Sequence, residues 1–263
     1  MMYHISRSVP SLLCVAVLLL AGCQSASDTD QSNEASNDTT TGVYDQSAWS
    51  YEGDTGPDQW ASLSPTYAEC AGERQSPVDL TGAATADGPA LSQAYTSAPA
   101  EVVDTGHGLQ VNTGGGTLTI DGVTYDLLQF HVHTPSEHTV DGSEYPAEIH
   151  FVHRAEDSLA VVGVFVEEGD ANDGLNTWLQ SIEGGDSSVE YDVNALLPDQ
   201  RSYYTYDGSL TTPPCSEIVH WIVMEEPITA SSAQLDGFRD RHDDNARPTQ
   251  PLGDRTLRFV SGE

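Results

Sequence analysis

Residues 109–133 read LQVNTGGGTLTIDGVTYDLLQFHVH. Apolar and polar side chains alternate through LQV, TLTI and QFHVH, and Gly-Gly-Gly and Asp-Gly interrupt the pattern. A period of two marks a half-buried strand, because successive side chains leave opposite faces of a sheet. The glycine and Asp-Gly breaks are turn chemistry. AEIHFVHR at 147–154 and SLAVVGVFVEE at 158–168 continue the theme. Helical periodicity is weak, and short helices are expected only near 171–182 and 231–240. The expected fold is mainly β (α+β), one large twisted, mostly antiparallel sheet with short peripheral helices.

The same stretch carries candidate chemistry. His131 and His133 stand two apart on a strand and so share a face, while Phe130 and Val132 turn to the other. His150 lies in the next apolar run and reaches the pair if the two strands are antiparallel neighbours. Three imidazoles on a rigid sheet leave the fourth position of tetrahedral Zn2+ open, as a catalytic site requires. The HxH pair alone says little: nine histidines shuffled through 263 residues give about 0.3 such pairs. Gln129 and Glu148 sharpen the reading. Each precedes a histidine by two on the same face and offers an oxygen to orient its ring.

Outside the sheet, Ser11 to Leu20 is an apolar run behind Arg7, too short to span a bilayer, followed by Leu-Ala-Gly-Cys. Residues 1–22 read as a lipoprotein signal peptide and Cys23 as the lipidated residue. An acidic tether (23–48), too poor in aliphatics to fold, and one domain (49–263) follow. An exported protein meets an oxidising compartment, so Cys70 and Cys215 are expected to pair; two free buried thiols are the alternative. The 9 basic residues are all arginine, against 41 acidic ones, a formal charge of −32. Such a surface disfavours nucleic acid and anionic membranes, leaving the lipid as the membrane contact. The expected reading is adaptation to high salt, with an alkaline medium or a partner site as the rivals.

Seven motifs in order resemble the α-carbonic anhydrase family. They are Trp49-Ser50-Tyr51 with Gly56-Pro57 and Trp60; Arg74 to Asp79; Gln129 to His133; Ser136 to Gly142; Glu148 to His153; Tyr206 to Pro214; and Asn245-Ala246-Arg247-Pro248. The resemblance implies reversible hydration of carbon dioxide by zinc-bound hydroxide, with His131, His133 and His150 holding one Zn2+. By position, Gln129 and Glu148 orient ligands, and the backbone carbonyl at Asn245 supports the middle one. Thr211, donating to Glu137, orients the hydroxide, and His107 carries the proton out. Val152, Val161, Leu210 and Trp221 match the apolar wall where carbon dioxide rests, with Thr212 beside them. Tyr51, Thr105, His107 and Gln110 match the polar wall. The resemblance also implies cis bonds at Ser76–Pro77 and Pro213–Pro214.

Thr134, Pro135 and Ala246 depart from the pattern of animal members and bear on pocket dimensions. A non-catalytic binding module of the same fold is the rival reading, disfavoured because all three histidines, Glu137 and Thr211 are present. A zinc-scavenging lipoprotein is disfavoured because the tether has no histidine-rich tract. A dimer is compatible with the sequence.

Overall fold

The computed structural model of the chain describes residues 49–184 and 188–262; the expected signal peptide, Cys23 and the tether lie outside the described residues. Thirteen strands form one sheet among them: β1 (Ala84–Thr85), β2 (Leu91–Tyr95), β3 (Ala98–Asp104), β4 (Leu109–Thr113), β5 (Gly116–Ile120), β6 (Val123–His133), β7 (Ala147–Ala155), β8 (Ser158–Glu168), β9 (Ser188–Tyr191), β10 (Tyr203–Gly208), β11 (Val219–Met224), β12 (Ile228–Ala230) and β13 (Arg258–Val260). The main path runs β1-β13-β10-β11-β8-β7-β6-β4-β3-β9. Pairing is antiparallel except at β1–β13, β8–β11 and β8–β12. The mostly antiparallel sheet expected from the alternating sequence is present.

Alternation sorts the two faces. Phe130, Val132, Ile149, Phe151, Val162 and Val164 are buried on one face, under helices α2 (Asp173–Gly184) and α3 (Ser232–Arg239). In α2, Leu175, Trp178, Leu179 and Ile182 recur at helical spacing and supply the covering stripe. Asn172 accepts the Gly174 and Leu175 N–H groups at 2.8 and 3.2 Å and so caps the helix start. α3 opens with a reciprocal capping box between Ser231 and Gln234. Both helices lie within two residues of their expected positions.

One irregularity sets the phase of the central strand. Leu127 and Phe130 both face the core although they are three apart, and the β6–β7 register shifts between Leu127 and Gln129. Leu128 is pushed out to 39% exposure. This β-bulge resets the alternation, so that Gln129, His131 and His133 share the face opposite the core.

The amino-terminal part of the domain adds short helical pieces unforeseen in the sequence, including α1 (Trp60–Leu63) and the 3-10 turn Pro65–Ala71. Elements of one or two turns carry too little periodicity to be read. Trp60 is wholly buried, and its indole N–H donates to Ser50 and Thr55 carbonyls at 2.8 and 3.1 Å. Cys70 and Cys215 form a disulfide that ties this segment to the chain after Thr211, 145 residues away. The peptide bonds Ser76–Pro77 and Pro213–Pro214 are cis, and so is Thr134–Pro135, which the sequence reading did not include.

A buried histidine in this core makes stability depend on pH. His153 lies between the Tyr95 hydroxyl (2.8 Å) and the Ala160 carbonyl (3.3 Å). Burial lowers its pKa to about 4, against the ordinary imidazole value of about 6.5. Between those values the unfolded chain takes up a proton that the folded chain refuses. The contribution is complete above pH 6.5 and is lost as pH falls towards 4, about 3 kcal/mol in all. Urea unfolding of the zinc-loaded protein from pH 7 to 4 is expected to show a shallower loss for His153→Gln. Equal slopes in the two proteins would exclude the assignment.

Candidate metal centre

The strand register brings the histidines together. His131 sits directly opposite His150 across β6 and β7, and His133 opposite Glu148. Gln129 Oε1 accepts from His131 Nδ1 at 2.8 Å, and the Asn245 carbonyl accepts from His133 Nδ1 at 2.7 Å. His150 Nε2 lies 2.9 Å from Glu148 Oε1. Hydrogen bonds occupy Nδ1 of His131 and of His133, and Nε2 of His150 faces the Glu148 carboxylate without hydrogen-bond alignment, which leaves Nε2 of His131, Nε2 of His133 and Nδ1 of His150 for a metal. The three histidines offer ligand atoms within 4.8 Å of one another.

Two buried polar atoms test the fit. Among the described residues, His133 Nε2 and Glu137 Oε2 have no hydrogen-bond partner, and they lie 3.4 Å apart. Leaving such atoms unpaired in a dry site is costly unless a ligand completes them. Burial lowers the pKa of His131, His133 and His150, most strongly for His131, where the other two rings add repulsion. Neutral imidazoles are what a metal needs. All-nitrogen donors, each braced by an oxygen, suit Zn2+.

Behind the ligands lies a buried polar relay. Glu148 Oε2 accepts backbone N–H groups from Glu137 and His138 at 3.0 and 2.9 Å, and Oε1 accepts from His138 Nδ1 at 2.7 Å. Burial opposes the charge of Glu148, but His138 and His150 outweigh it and hold the carboxyl well below its usual range. A Cβ at Gly163 would stand 2.7 Å from Glu148 Oε1, so glycine makes the room. His138 continues to the Tyr206 hydroxyl (2.8 Å), which reaches Ser76 Oγ (3.0 Å). The sequence reading gave His138, Tyr206 and Ser76 no role; each stands inside a quoted motif, which was the available signal.

Glu137 lies beside the metal-facing nitrogens. Burial raises its pKa to about 7, opposed by His150, by a hydrogen bond from Thr211 and by the Arg247 N–H, which donates to Oε1 at 2.8 Å. A dication beside it would pull the value down. Arg247 is itself buried, donating to Gln75, the Ser76 carbonyl and the Cys70 carbonyl at 2.9, 2.9 and 3.1 Å.

His131 and His133 open onto a cleft of about 120 Å³, with His150 buried behind them. Tyr51, Thr105, His107, Gln110 and Thr212 line it, and the His107 ring stacks on Trp49 at 3.8 Å. Val152, Val161, Leu210 and Trp221 pack together in one cluster alongside rather than in that lining. They are cross-strand neighbours: Gln129 faces Val152, Val152 faces Val161, and Val161 faces Trp221. The Trp221 ring is 4.9 Å from His150. A larger cleft of about 740 Å³ opens beside His220 and contains none of the three histidines.

Known proteins resemble this chain in sequence and fold. A family model described as eukaryotic-type carbonic anhydrase matches residues 55–261. A carbonic anhydrase of Pectobacterium carotovorum is 39% identical over 249 residues, covering 91% of this chain and 96% of its own. One of Klebsiella pneumoniae is 41% identical over 222 residues, covering 80% and 90%. The α-carbonic anhydrase of Thermovibrio ammonificans, solved in complex with the inhibitor sulfanilamide, superimposes with a TM-score of 0.75. It is 42% identical, and the match covers 81% of this chain and 98% of that one. On this match, and with the sheet and histidine cluster already described, the chain belongs to the eukaryotic-type, or α-class, carbonic anhydrase family of enzymes.

Proposed function

We propose that the domain hydrates carbon dioxide reversibly with one Zn2+ held by His131, His133 and His150. The observation that carries this reading is the convergence of three neutral imidazoles, each with its other nitrogen facing an oxygen of the protein. Zinc there would acidify a water enough to supply the nucleophile near neutral pH, an effect for which carbonic anhydrase is itself the standard example. The chain's own residues do the rest. An ionised Glu137 can only accept, so it fixes the Thr211 proton on itself and leaves a Thr211 lone pair for the reacting oxygen. Val152, Val161, Leu210 and Trp221 present a dry wall that suits an uncharged, apolar substrate. His107, at the cleft mouth, carries the released proton to buffer. The rival reading as a non-catalytic module is disfavoured by the intact histidines and by the Glu137–Thr211 pair.

The lipid anchor at Cys23 and an exported location remain part of the reading, and the Cys70–Cys215 disulfide is in keeping with an oxidising compartment. Adaptation to high salt belongs with them. Removal of 1–22 takes away only Arg7, which leaves 8 basic and 41 acidic residues, a formal charge of −33. The available cations compensate little of this. Arg74–Glu217 and Arg239–Asp236 are surface pairs at 3.5 Å, whereas Arg247 is buried and Arg255 binds the Leu252 and Pro251 carbonyls.

His131→Ala is expected to remove stoichiometric zinc and hydratase activity while the far-ultraviolet circular dichroism stays that of a β protein. Full activity in that variant would refute the metal assignment. His107→Ala is expected to lower kcat in weak buffer by about 10-fold or more, with most of the loss restored by added imidazole. An unrescued loss would give His107 another task. Melting of the zinc-saturated domain is expected to be higher in 3 M than in 0.1 M sodium chloride, since screening of like charges deepens as the Debye length falls to about 3 Å near 1 M. A midpoint no higher in 3 M would defeat the high-salt reading.

A further inference from the structure

His107 sits on a turn whose internal bonds fix its shape. The Thr105 N–H and hydroxyl both donate to the Gly108 carbonyl at 3.0 Å, and Gly106 adopts φ +81°, a left-handed conformation that favours glycine. Shape alone does not place the turn against the cleft. Its attachments to the body include Asn245 Nδ2, which donates to the His107 carbonyl at 3.2 Å, and the ring of Trp49. At the other end stand Asp104 and His242. Asp104 Oδ1 accepts the Gly106 N–H at 2.8 Å and the His242 Nε2–H at 2.8 Å.

His242 is well placed to anchor. It lies three residues beyond the end of α3, and its own N–H donates to the Phe238 carbonyl at 3.0 Å. Its carbonyl accepts the Thr134 hydroxyl at 2.6 Å, immediately after the ligand strand. One residue therefore joins the end of α3, the chain beyond His133 and, through Asp104, the turn that carries His107. Burial resists the charge of Asp104, but the Gly106 N–H, His242 and, more weakly, Arg241 keep its pKa below the usual range.

We propose that the Asp104–His242 pair is a clasp that positions the His107 turn for proton export. This rests on the reading of His107 as the proton carrier. Neither residue touches the reacting atoms; both are positioning residues. Asp104 is largely exposed, with its side chain at 58% and that of His242 at 17%, so the pair adds little to global stability. Its effect is geometric. A carrier displaced by about 1 Å transfers protons much more slowly, while the hydration step at the metal is untouched.

The test uses the zinc-loaded mature protein with Asp104→Ala, Asp104→Asn and His242→Ala, and His107→Ala as the reference. The stacked indole of Trp49 shifts the His107 ring protons upfield in NMR spectra, which reports the turn's position independently of kinetics. Asp104→Ala and His242→Ala are expected to lose most of that shift. Their kcat in weak buffer is expected to fall about three- to tenfold, with imidazole rescue and unchanged kcat/KM. Asp104→Asn keeps an acceptor oxygen and is expected to retain the shift and the rate. An unchanged shift in both Asp104→Ala and His242→Ala overturns the clasp, as does a fall in kcat/KM in step with kcat. If His107→Ala itself leaves the weak-buffer rate intact, proton export through His107 fails and the clasp loses that function. The ring shift then still decides whether it holds the turn.

Discussion

Glu148 is a fully buried carboxylate in the middle of a sheet, and a charge in that position must be paired several times over or the fold loses several kcal/mol. Much of the domain can be understood as the means of pairing it. Two backbone N–H groups from the loop after β6 point at one oxygen, and His138 and His150 address the other. Gly163 on the neighbouring strand gives up its side chain so that the oxygen fits. Satisfying Glu148 thus fixes the loop that carries Glu137, orients His150, and links both to Tyr206 on β10 and to Ser76. The same contacts that offset the buried charge hold the metal site rigid before any metal arrives.

Arg247 plays the matching part for the amino-terminal segment. Its guanidinium gathers Gln75, Ser76 and the carbonyl of Cys70, and stacks 5.3 Å over Trp60, while its backbone N–H holds Glu137. Since Cys70 is bonded to Cys215, the segment before β1, the loop bearing Thr211 and the buried acid all meet at one side chain. An arginine there supplies a planar fork of donors that a lysine could not reproduce. The absence of lysine from the chain therefore takes nothing from the interior and falls wholly on the surface.

What the sequence made legible follows from how locally each feature is encoded. The period-two pattern of 109–133 gave the sheet, and the two-residue spacing of His131 and His133 gave their common face. Gln129 and Glu148 were readable because a strand puts residues two apart side by side. The bulge at Leu128 was not, although adjacent leucines broke the alternation there, because a single doubled apolar residue is equally consistent with a strand end. His138, Tyr206 and Ser76 escaped for a different reason. Their partners lie 10, 68 and 130 residues away from one another in the chain, and only the folded register brings them to 2.7–3.0 Å. The stack of Trp49 on His107 is of the same kind, as is the hold of His242 on Asp104, 138 residues distant. Family resemblance supplied the roles of Thr211 and Asn245, which no local pattern would have assigned.

The division between interior and surface also decides where salt can act. Inside, contacts that shape the metal site are short bonds between groups shielded from water, such as His133 to Asn245 at 2.7 Å and His138 to Glu148 at 2.7 Å. Mobile ions screen across solvent and do not enter such spaces, so these contacts are screened far less than exposed ones. Outside, the acidic side chains stand in water at separations where a Debye length of about 3 Å removes most of their repulsion. On the proposal of adaptation to high salt, screening acts on the exposed acidic surface and not on the buried contacts around the three histidines. The chain can carry a formal charge of −32 because the buried carboxylates Glu148 and Glu137 are stabilised locally, by His138, His150, the Arg247 N–H and Thr211, independently of the surface. Acidic substitutions can then accumulate on the exposed faces of the strands and loops without any compensating change at the cleft.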